Sequence, residues 1–439
     1  MNFEGKIVVV SGLAKSGIAA IALLKTKGAR VRAMDDCPTA AMAEALKPFD
    51  VEPEMQSETV LEGADFLVVS PGVPLDQPFF DAAKKKSIPI LGEVELAGYY
   101  LKGNIIGITG SNGKTTTTAL TVHILREAGV DCQVGGNIGT PPTAMIDSSR
   151  EGRWNVLELS SFQLETIQRF HADIAVALNV TGNHLDRHHT FAAYAAAKAR
   201  LFETQRGDGF AVLNADNAVC VSYSEKTKAR VKWFSLSRPF ASGACLDGDR
   251  ILLDGQPLLL AAEVPLRGRH NLENVMAAAI VSRLAGAAPA KIAAAVRTFP
   301  GVEHRLEFVR SLDGVDYFND SKATSVDAAL KAIDAFPGGL WIVLGGHDKN
   351  SDYTVLRDPL ARKARMALLI GEAAPIIEKQ LANAVPVIAT GTLDAAVAEA
   401  HARAKPGDTV LLAPACSSYD QYRNFEERGR AFKRLVGEL

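Results

Sequence analysis

Cysteine is scarce in this sequence, and the placement of the few cysteines excludes two classes of fold. There are five, an odd number, spread from position 37 to position 416, and no two of them form a C-x-x-C pair. Disulfide scaffolds and zinc ribbons need paired, closely spaced cysteines, so neither is expected. Scattered cysteines of this kind are typical of a reducing compartment, which indicates a cytoplasmic protein.

Long apolar runs and an excess of one charge are also absent. No apolar run reaches the ~18 residues that a membrane-spanning helix needs. Residues 1–6 carry an acid and a glycine where a signal peptide has basic residues. We therefore expect no integral membrane segment. The 48 basic and 50 acidic residues give a net charge of −2, which does not favour a nucleic-acid partner.

What the sequence does contain is a repeated alternation of short apolar runs and helix-like stretches. Its 439 residues suggest about three domains at roughly 150 residues each. The alternation restarts after residues 102–104 and after Pro300-Gly301. Strand, helix and strand in this order predict the α/β class with parallel sheets. We predict three domains over 1–93, 94–300 and 301–439, of which the first and last are Rossmann-like.

Individual strands are predicted from apolar and β-branched runs that end at turn residues. Between 231 and 265 the runs are short and broken by Asp-Gly pairs, which predicts a small antiparallel patch. The last four strands are continuous apolar runs, as expected for a parallel sheet covered on both faces. The predicted strands are Ile7–Val10, Val31–Met34, Phe66–Ser70, Ile105–Thr109, Trp154–Leu159, Ile174–Asn179, Phe210–Asn214, Leu340–Leu344, Ala367–Ile370, Val385–Ile388 and Thr409–Ala413.

A glycine-containing turn follows the first predicted strand. Gly12 and Gly17 stand at the outer positions of a G-x-G-x-x-G pattern. The middle glycine of that pattern lets the backbone approach a pyrophosphate, and here Ala14 replaces it. Asp35 follows the second strand, where a ribose-binding acid belongs. These residues allow an ordinary strand-to-helix turn, a phosphate-binding turn or an NAD-dependent oxidoreductase, and Ala14 weakens the last of these.

A second glycine turn, over 107–116, lies between a predicted strand and a predicted helix that runs to about Ala128. Its Gly-Lys-Thr-Thr sequence is a variant of the P-loop, with Ile108 in the place of the usual first glycine. Backbone N–H groups would surround phosphate oxygens. Lys114 would neutralise the β- and γ-phosphates, and the Thr115 hydroxyl would bind Mg²⁺. The pattern predicts ATP binding by a central P-loop domain.

Acidic and histidine side chains farther along form a candidate metal site. Glu158 ends an apolar strand. Beside a P-loop, an acid in this position can hold Mg²⁺. If the P-loop were absent, a solvated carboxylate at the strand end would be the better interpretation. A loop after the next strand holds two histidines four residues apart, which allows zinc, but the acid of H-E-x-x-H is missing. We favour one histidine at a phosphate or Mg²⁺ site and the others at the surface. The residues of this loop are His184, Asp186, His188 and His189.

Lys198 interrupts the apolar stripe of a predicted helix. Thr190 is the expected N-cap. A lysine within the stripe either extends its ammonium to solvent or is buried as a neutral amine that can be modified. Helix geometry by itself favours the first. The apolar positions are Phe191, Tyr194, Leu201 and Phe202.

Taken together and in this order, the motifs resemble the Mur ligases of bacterial cell-wall synthesis over essentially the whole chain. The P-loop and residues 319–324 (Asn-Asp-Ser-Lys-Ala-Thr) point to the superfamily. Residues 414–418 (Pro-Ala-Cys-Ser-Ser) and 424–426 (Asn-Phe-Glu) favour the branch that adds D-glutamate. The other matching segments are 135–139, 158–164, the segment with His184 and Lys198, 270–274, 304–305 and 344–349.

The resemblance implies a monomeric, cytoplasmic ligase that forms ADP and joins D-glutamate to UDP-N-acetylmuramoyl-L-alanine in peptidoglycan precursor synthesis. An acyl phosphate and then a tetrahedral intermediate would form. The enzyme would use ATP and two Mg²⁺ ions. Lys198 would carry a carbamate derived from CO₂, which turns a cation into an anion and gives a buried position a purpose.

The resemblance also implies roles for individual residues, with catalysis by Lys114, His184 and Lys198. ATP would contact Gly110, Ser111, Asn112, Gly113, Lys114, Thr115, Thr116, Asn271, Asn274, Arg305, Asp320 and Lys322. The metal ions would be held by Thr115, Glu158, His184 and Lys198. The uridine-diphosphate substrate would contact Gly12, Leu13, Ser16, Gly17, Asp35, Ser70, Asn137 and Ser160. D-Glutamate would contact Thr324, Lys349, Ser417 and Phe425.

Four positions depart from the family pattern. Ala14 replaces a glycine, Gly182 and Asn183 stand where acids are expected, and Ser325 stands in place of an asparagine. The alternatives are a ligase that adds a different amino acid, an NAD-dependent oxidoreductase and a nucleotide-sensing scaffold without chemistry. The oxidoreductase leaves the P-loop and Lys198 unused, and amino-acid-dependent ADP production would exclude the scaffold.

Overall fold

The computed structural model describes residues 1–182, 184–348 and 350–439. The chain forms two compact units, the first made of Met1–Val264 with Leu272–Phe299 and the second of Pro265–Asn271 with Pro300–Leu439. The first unit holds two β-sheets and the second holds one, and parallel pairing dominates in all three. The predicted α/β class is confirmed.

The first sheet has five parallel strands in the order β3-β2-β1-β4-β5. Val8 and Val10 of β1 pack in one apolar cluster and Val9 packs in another, because helices cover both faces of the sheet. The strands are β1 (Ile7–Ser11), β2 (Arg30–Asp35), β3 (Pro53–Met55), β4 (Phe66–Val69) and β5 (Ile90–Gly92). The helices are α1 (Lys15–Thr26), α2 (Ala40–Leu46), α3 (Pro78–Lys85) and α4 (Glu93–Gly98).

The second sheet of the first unit has nine strands in the order β14-β13-β12-β11-β10-β9-β6-β8-β7. Its strands are β6 (Asn104–Thr109), β7 (Cys132–Gly136), β8 (Trp154–Glu158), β9 (Ile174–Ala177), β10 (Phe210–Asn214), β11 (Arg230–Ser235), β12 (Gly243–Asp247), β13 (Arg250–Leu253) and β14 (Gln256–Leu260). The predicted antiparallel patch is confirmed for β12–β14. β11 belongs to the parallel part of the sheet.

The helices that follow the strands of this sheet begin and end at recognisable signals. Thr190 caps α8 as predicted, since its hydroxyl accepts the Ala193 N–H at 3.1 Å. Gly129, with a φ of +78°, follows the last turn of α5. The helices are α5 (Lys114–Glu127), α6 (Ser161–Leu164), α7 (Leu185–His188), α8 (Phe191–Glu203), α9 (Ala218–Ser222), α10 (Arg269–Leu284) and α11 (Pro289–Thr298).

The second unit holds a six-stranded sheet in the order β15-β16-β20-β17-β18-β19, with one antiparallel pair, β15-β16. Ser325 caps α12, because its hydroxyl accepts the Ala328 N–H at 3.3 Å, a role that the expected asparagine would also fill. The strands are β15 (Glu307–Leu312), β16 (Val315–Asn319), β17 (Leu340–Gly345), β18 (Ala364–Ile370), β19 (Val387–Gly391) and β20 (Thr409–Leu412). The helices are α12 (Val326–Asp334), α13 (Arg357–Lys363), α14 (Ala374–Leu381), α15 (Leu393–Arg403) and α16 (Phe425–Glu438).

Several strands carry too weak a pattern to be predicted. β3 and β5 have only three residues each, and β7 ends in two glycines. β15 and β16 mix charged and apolar residues, so they lack the continuous apolar run of the other strands in their sheet. Of these strands, β3, β5, β7 and β15 lie at sheet edges and depend on a single neighbouring strand for their hydrogen bonds, whereas β16 lies inside its sheet.

The remaining helical segments are short 3₁₀ turns, at Lys47–Phe49, Glu58–Leu61, Pro142–Met145, Tyr223–Glu225, Ala261–Glu263 and Thr354–Leu356. Across the described ranges, every helix is too short or too polar to cross a bilayer.

Candidate functional site

Four adjacent parallel strands of the second sheet end at one edge, and the predicted phosphate and metal residues of the first unit follow them. These strands lie in the order β9-β6-β8-β7. The P-loop follows β6, Glu158 is the last residue of β8, and Asn137 directly follows β7. Because the carboxyl ends of parallel strands share an edge, these segments converge there.

The P-loop needs glycine at position 113 for two reasons. Gly113 has a φ of +84°, and a Cβ there would lie 2.3 Å from Oδ1 of Asn274. Asn274 reaches the loop from α10 and accepts the Thr117 hydroxyl at 3.2 Å. This contact places Asn274 against the first turn of α5, beside the N–H groups that the sequence predicts for phosphate binding.

Two residues that the sequence does not connect with the P-loop hold it from the other side. The Asn179 side chain accepts the Asn112 N–H at 2.9 Å and donates to the Asn112 carbonyl at 3.2 Å. The Tyr194 hydroxyl lies 2.9 Å from the Ser111 hydroxyl. Asn179 follows β9 and Tyr194 belongs to the apolar stripe of α8, so only the folded chain brings them to the loop.

Lys114 and Lys198 converge on one backbone oxygen. Nζ of Lys114 donates to the Gly110 carbonyl at 2.8 Å, and Nζ of Lys198 donates to the same carbonyl at 3.0 Å. Lys198 is 1% exposed, and its Nζ also lies 3.3 Å from Oγ1 of Thr109. The prediction from helix geometry alone, that this ammonium extends to solvent, is therefore wrong. The apolar stripe of α8 packs inward, and the lysine within it is buried with it.

The surroundings of Lys198 favour its neutral form. Burial lowers the pKa of Lys198 well below its ordinary value, and the charge of Lys114 lowers it further, while Cys220 and Glu158 act in the opposite direction. Nζ also lies 4.7 Å from the centre of the Tyr194 ring. A neutral buried amine is a nucleophile, so this side chain can react with a small electrophile.

Glu158 offers a carboxylate oxygen to a cation. Oε1 accepts the side-chain amide of Asn137 at 2.9 Å. Oε2 is buried and has no hydrogen-bond partner in the part of the chain that the structure describes. Such an oxygen is costly unless a cation or proton occupies it. Thr115, in the first turn of α5, is also buried. The donors at this edge are oxygen atoms, which suit Mg²⁺.

His184 lies just before α7, a single helical turn where the sequence predicts a loop. Its φ is +53°, and its ring centre is 5.0 Å from that of Phe162. His189 is exposed, as predicted. The side chain of Asp186 and all of Asn183 lie outside the described residues. Within the described ranges, no group of three or more His, Cys, Asp or Glu side chains is placed to hold a metal ion.

His188 is buried, which corrects the expectation that it lies at the surface. Its Nε2 is 2.9 Å from the Ser161 hydroxyl, and its Nδ1 is 3.2 Å from Glu165. Glu165 also pairs with Arg187 at 2.8 Å. Burial lowers the pKa of His188, and Glu165 opposes this shift. α7 is thus tied to α6 and to Glu165, and this anchoring orients the segment that begins with His184.

A cavity of about 500 Å³ lies between the first glycine turn and the loop after β7. Lys15 joins the two, because its Nζ donates to the Gly139 carbonyl at 2.9 Å. Ala14 stands at the start of α1 and lines the cavity too. The lining includes six of the residues predicted to contact the uridine-diphosphate substrate, namely Gly12, Leu13, Ser16, Asp35, Ser70 and Asn137.

Asp35 and Ser70 fix the shape of the glycine turn. Asp35 accepts the Leu13 N–H at 2.8 Å, and the Ser70 hydroxyl donates to the Gly12 carbonyl at 2.6 Å. Burial acts to raise the pKa of Asp35, but the N–H groups of Leu13 and Cys37 outweigh it, and the pKa is lowered. The carboxylate therefore stays charged and holds the turn that lines the cavity.

Gly17 and Ser160 are not among the described lining residues. A Cβ at Gly17 would lie 1.9 Å from the Gly12 carbonyl oxygen, so glycine lets α1 begin close to the turn. Ser160 caps α6, where its hydroxyl accepts the Gln163 N–H at 3.3 Å. Gln163 itself lines the cavity. The sequence offers little sign of this, because a glutamine three residues after a serine is typical of a capping box.

Three adjacent strands of the second unit, β16, β20 and β17, also end at a common edge. Residues 320–324 follow β16, residues 413–418 follow β20, and residues 346–348 follow β17. Lys349 lies outside the described residues. The segments carry four of the residues that the resemblance assigns to ATP or D-glutamate, namely Asp320, Lys322, Thr324 and Ser417.

Burial and charge mark this edge of the second unit. Burial raises the pKa of Asp320 to about 6, against the charges of Arg305 and Lys322. Nζ of Lys322 lies 5.4 Å from the centre of the Phe425 ring. Among the predicted ATP contacts, Asn271 is part of the second unit and Asn274 is part of the first.

Three family models match the chain in succession. Residues 6–92 match the model described as Mur ligase MurD-like, N-terminal domain. Residues 108–282 match the Mur ligase middle domain, and residues 304–416 match the Mur ligase, glutamate ligase domain. The matches follow the order in which the motifs occur along the sequence.

Curated proteins named UDP-N-acetylmuramoylalanine–D-glutamate ligase are similar to the chain over its whole length. The protein from Solibacter usitatus is 57% identical over 100% of this chain and 99% of that protein. The protein from Acidobacterium capsulatum is 49% identical over 99% of this chain and 97% of that protein. The protein from Thermoanaerobacter pseudethanolicus is 41% identical over the full length of both.

Solved structures share the fold at low sequence identity. A pseudomurein peptide ligase type C from Methanothermus fervidus matches with a TM-score of 0.60 at 19% identity, over 99% of this chain and 100% of that chain. A UDP-N-acetylmuramate–alanine ligase from Thermotoga maritima matches with a TM-score of 0.60 at 16% identity, over 99% of both chains. These likenesses bear on the three-domain fold alone.

Proposed function

We propose, from the premise that this chain belongs to the Mur ligase family, that it adds D-glutamate to UDP-N-acetylmuramoyl-L-alanine with ATP and releases ADP and phosphate. Identity of 57% with a full-length ligase of that name supports the choice of amino acid as well as the reaction class. The product is a peptidoglycan precursor. We place the enzyme in the cytoplasm and expect it to act as a monomer.

The convergence of Lys114 and Lys198 beside the unpartnered oxygen of Glu158 carries the proposal. A P-loop by itself needs one lysine and suits many nucleotide-binding proteins. A second buried lysine with a lowered pKa is of little use there as a cation. It gains a use when it becomes an anion, because two anionic groups can then hold cations next to the phosphates.

In the proposed first stage, an oxygen of the alanyl carboxylate attacks the γ-phosphorus of ATP. The bond from that phosphorus to the β-phosphate oxygen breaks, which gives an acyl phosphate and ADP. Both reactants are anions, so positive charge around the phosphates is the main requirement. The N–H groups at the start of α5 and Nζ of Lys114 meet it. We assign His184 to positioning and metal contact.

The oxygen donors at this edge fit Mg²⁺, and the unpartnered Oε2 of Glu158 supports a cation there. Two Mg²⁺ ions would neutralise charge on the phosphoryl group. We propose that the neutral amine of Lys198 attacks the carbon of CO₂, which forms an N–C bond, releases one proton and leaves a carbamate. The proposed metal-binding residues are Thr115, Glu158, His184 and carbamylated Lys198.

In the proposed second stage, the deprotonated amine of D-glutamate attacks the acyl carbon. The tetrahedral intermediate then releases one proton from its nitrogen and loses phosphate as its C–O bond breaks, and an amide remains. The bond to phosphate makes this displacement possible, because a free carboxylate resists attack by an amine. We propose that the residues receiving D-glutamate are Thr324, Lys349, Ser417 and Phe425.

We propose that the cavity of the first unit receives the uridine diphosphate, with Asn137 and Ser160 nearer the reacting end of the substrate. The proposed uridine-diphosphate contacts are Gly12, Leu13, Ser16, Gly17, Asp35 and Ser70. Beyond the P-loop, the proposed ATP contacts are Asn271, Asn274, Arg305, Asp320 and Lys322. We propose domain boundaries of 1–93, 94–300 and 301–439, which the presence of three sheets and three matched models supports.

The direct test is ADP release with UDP-N-acetylmuramoyl-L-alanine as the acceptor and either D- or L-glutamate as the amine. We expect ADP only when the acceptor and D-glutamate are both present. Faster release with another amino acid, such as diaminopimelate, would move the enzyme to another branch of the family. ADP release independent of any amino acid would contradict a ligase.

Lys114→Met tests the phosphate assignment. We expect ADP formation to fall by about 100- to 1000-fold, because a group that stabilises developing charge is removed. Lys226→Met is the matched control, since this lysine is partly exposed and pairs with Glu203 on the surface. Near-normal turnover in Lys114→Met would show that the P-loop does not bind the transferred phosphate.

A further inference from the structure

Arg428, in α16, is a buried guanidinium to which the proposed contacts give no role. It is 1% exposed, whereas the side chains of Arg430 and Arg434 in the same helix are 67% and 68% exposed. Arginine is seldom fully buried, because its desolvation is costly unless its N–H groups find acceptors. Its burial beside the common edge of β16, β20 and β17 therefore indicates a specific use.

The guanidinium joins two of the segments at that edge. Its Nε donates to the Ser321 hydroxyl and its Nη2 donates to the Ser321 carbonyl, both at 3.0 Å. Nη2 also donates to the Cys416 carbonyl at 3.1 Å, and Nη1 donates to the Ser417 carbonyl at 3.3 Å. Ser321 follows β16, and Cys416 and Ser417 follow β20. One side chain thus sets the spacing between the two segments.

Further hydrogen bonds extend this connection to the start of α16 and to the segment after β17. The Ser321 hydroxyl donates to the Phe425 carbonyl at 2.8 Å. The His347 N–H donates to the Ser417 carbonyl at 2.9 Å, and the Ser417 hydroxyl donates to the His347 carbonyl at 3.2 Å. Each of the connected segments contains a residue proposed to receive D-glutamate, namely Thr324, Ser417, Phe425 and, two positions after His347 in the sequence, Lys349.

The four acceptors of Arg428 are all uncharged oxygens. Asp420 acts on the guanidinium through space, and one of its oxygens accepts the Glu372 N–H at 3.1 Å. Burial lowers the pKa of Arg428 to about 10, so the group remains protonated at neutral pH. Within the described residues this positive charge hydrogen-bonds to neutral oxygens alone, so it persists at this edge, and in a weakly polar interior it attracts anions.

We infer that Arg428 is a positioning residue for the amino-acid substrate, which fixes the segments after β16, β20 and β17 and attracts the carboxylates of a dicarboxylic amino acid. The inference rests on the proposed function, since it takes D-glutamate as that amino acid. Arg428 acts through Ser321, Ser417 and Phe425, and it does not touch the substrate itself.

The test compares Arg428→Met with Arg428→Lys by steady-state kinetics in the full chain, with each substrate varied in turn. Methionine removes the charge and the donors, while lysine keeps the charge and fewer donors. We expect the KM for D-glutamate to rise about 10-fold or more in Arg428→Met, and clearly less in Arg428→Lys. The KM for UDP-N-acetylmuramoyl-L-alanine should stay within about twofold in both variants, because its proposed cavity lies in the first unit.

Arg430→Met is the matched control, since it removes an exposed arginine from the same helix and should leave all kinetic constants unchanged. Thermal melting of each variant measures the structural effect separately. If Arg428→Met does not fold, Arg428→Lys against wild type carries the test, with a raised KM for D-glutamate as the expected result.

Two results would count against the inference in different ways. A fall in kcat with every KM unchanged, or an equal rise of all KM values, would mean that Arg428 only supports the fold, and this would overturn the inference alone. Wild-type protein that shows no D-glutamate-dependent ADP release would overturn the proposed function, and the inference with it.

Discussion

Lys198 in the first unit and Arg428 in the second unit are equally buried cations with opposite surroundings. Lys198 donates to two oxygens and shares one of them with Lys114. Arg428 donates four hydrogen bonds, all to oxygens of the segments after β16 and β20. Burial lowers both pKa values, that of Lys198 well below its usual range and that of Arg428 to about 10, at which the guanidinium stays protonated at neutral pH.

The difference shows that the type of side chain and its neighbours, together with burial, decide the chemistry of a buried cation. Burial, together with the charge of Lys114, favours the neutral and reactive amine of Lys198. A guanidinium surrounded by carbonyl oxygens keeps its proton and becomes a fixed charge with fixed geometry. Burial alone would have assigned both side chains the same role.

Replacing the reactive lysine at position 198 by a permanently charged arginine should have the largest effect on activity. In Lys198→Arg the side chain stays charged and cannot carry a carbamate, so we expect ADP formation to fall by about 100-fold or more. Lys198→Ala should lose a similar share of its ADP formation. Part of that activity should return when a short-chain carboxylate such as acetate enters the vacated space. The measurement is ADP release with and without acetate.

Labelling with ¹³C-bicarbonate gives an independent readout for the same position. Wild-type protein should show a carbamate carbon signal in its NMR spectrum that is missing from Lys198→Ala. Lys226→Ala, at a partly exposed lysine, should keep both the signal and the activity. Full activity in Lys198→Ala, together with no signal in wild type, would show that Lys198 is an unmodified lysine.

Glu93 extends the comparison to a buried acid. It is 1% exposed, and its Oε1 accepts the N–H and the hydroxyl of Thr143 at 2.7 and 2.6 Å. Burial raises the pKa of Glu93 to about 7 from 4.5, against these hydrogen bonds. Between these two values the folded state keeps a proton that the unfolded state has lost. The free energy of unfolding should therefore fall as the pH rises through this window, by about 3 kcal/mol at most.

Glu93→Gln tests this prediction, because an amide has no charge to bury. Urea denaturation at pH 5 and pH 8 should show a smaller difference in the free energy of unfolding for Glu93→Gln than for wild type. Glu62→Gln, at an exposed glutamate, should keep the wild-type difference. An unchanged difference in Glu93→Gln would show that another group causes the pH dependence.

The smallest predicted effect concerns Arg187, a guanidinium that does have a carboxylate partner. The side chains of Arg187 and Glu165 are 11% and 17% exposed and lie 2.8 Å apart. A double-mutant cycle with Arg187→Met and Glu165→Gln should give a coupling free energy of about 1–2 kcal/mol in urea denaturation. A coupling near zero would place this pair with ordinary surface ion pairs and would leave His188 as the main anchor of α7.

The sequence predicts the fold best where one strand buries both of its faces. The apolar run of Phe210–Asn214 matches β10 from end to end, and the runs near 340 and 409 match β17 and β20 closely. The prediction fails where pairing with a neighbour replaces local preference. Pro53–Met55 has two exposed residues of three, and it forms a strand because β2 provides its hydrogen bonds.

The residues of the candidate site also differ in how well the local sequence predicts them. The P-loop can be predicted because its glycines, Lys114 and Thr115 act within one turn of chain. The burial of Lys198 does not follow from helix geometry, since it depends on how α8 packs against the sheet, and only the family resemblance implied it. Tyr194, Asn179 and Arg428 contact segments about 70 to 110 positions away along the chain. Such contacts leave no local pattern, so only the folded structure connects them to the site.

The neutral amine favoured at Lys198 also predicts a chemical vulnerability of the enzyme. Cyanate is linear and about as small as CO₂, and it adds to neutral amines to give a urea that does not readily revert. We expect slow inactivation by cyanate, with mass spectrometry locating the added group on Lys198 and bound ATP slowing the reaction. The amine that we propose to react with CO₂ would thus also react with a permanent inhibitor of the same shape.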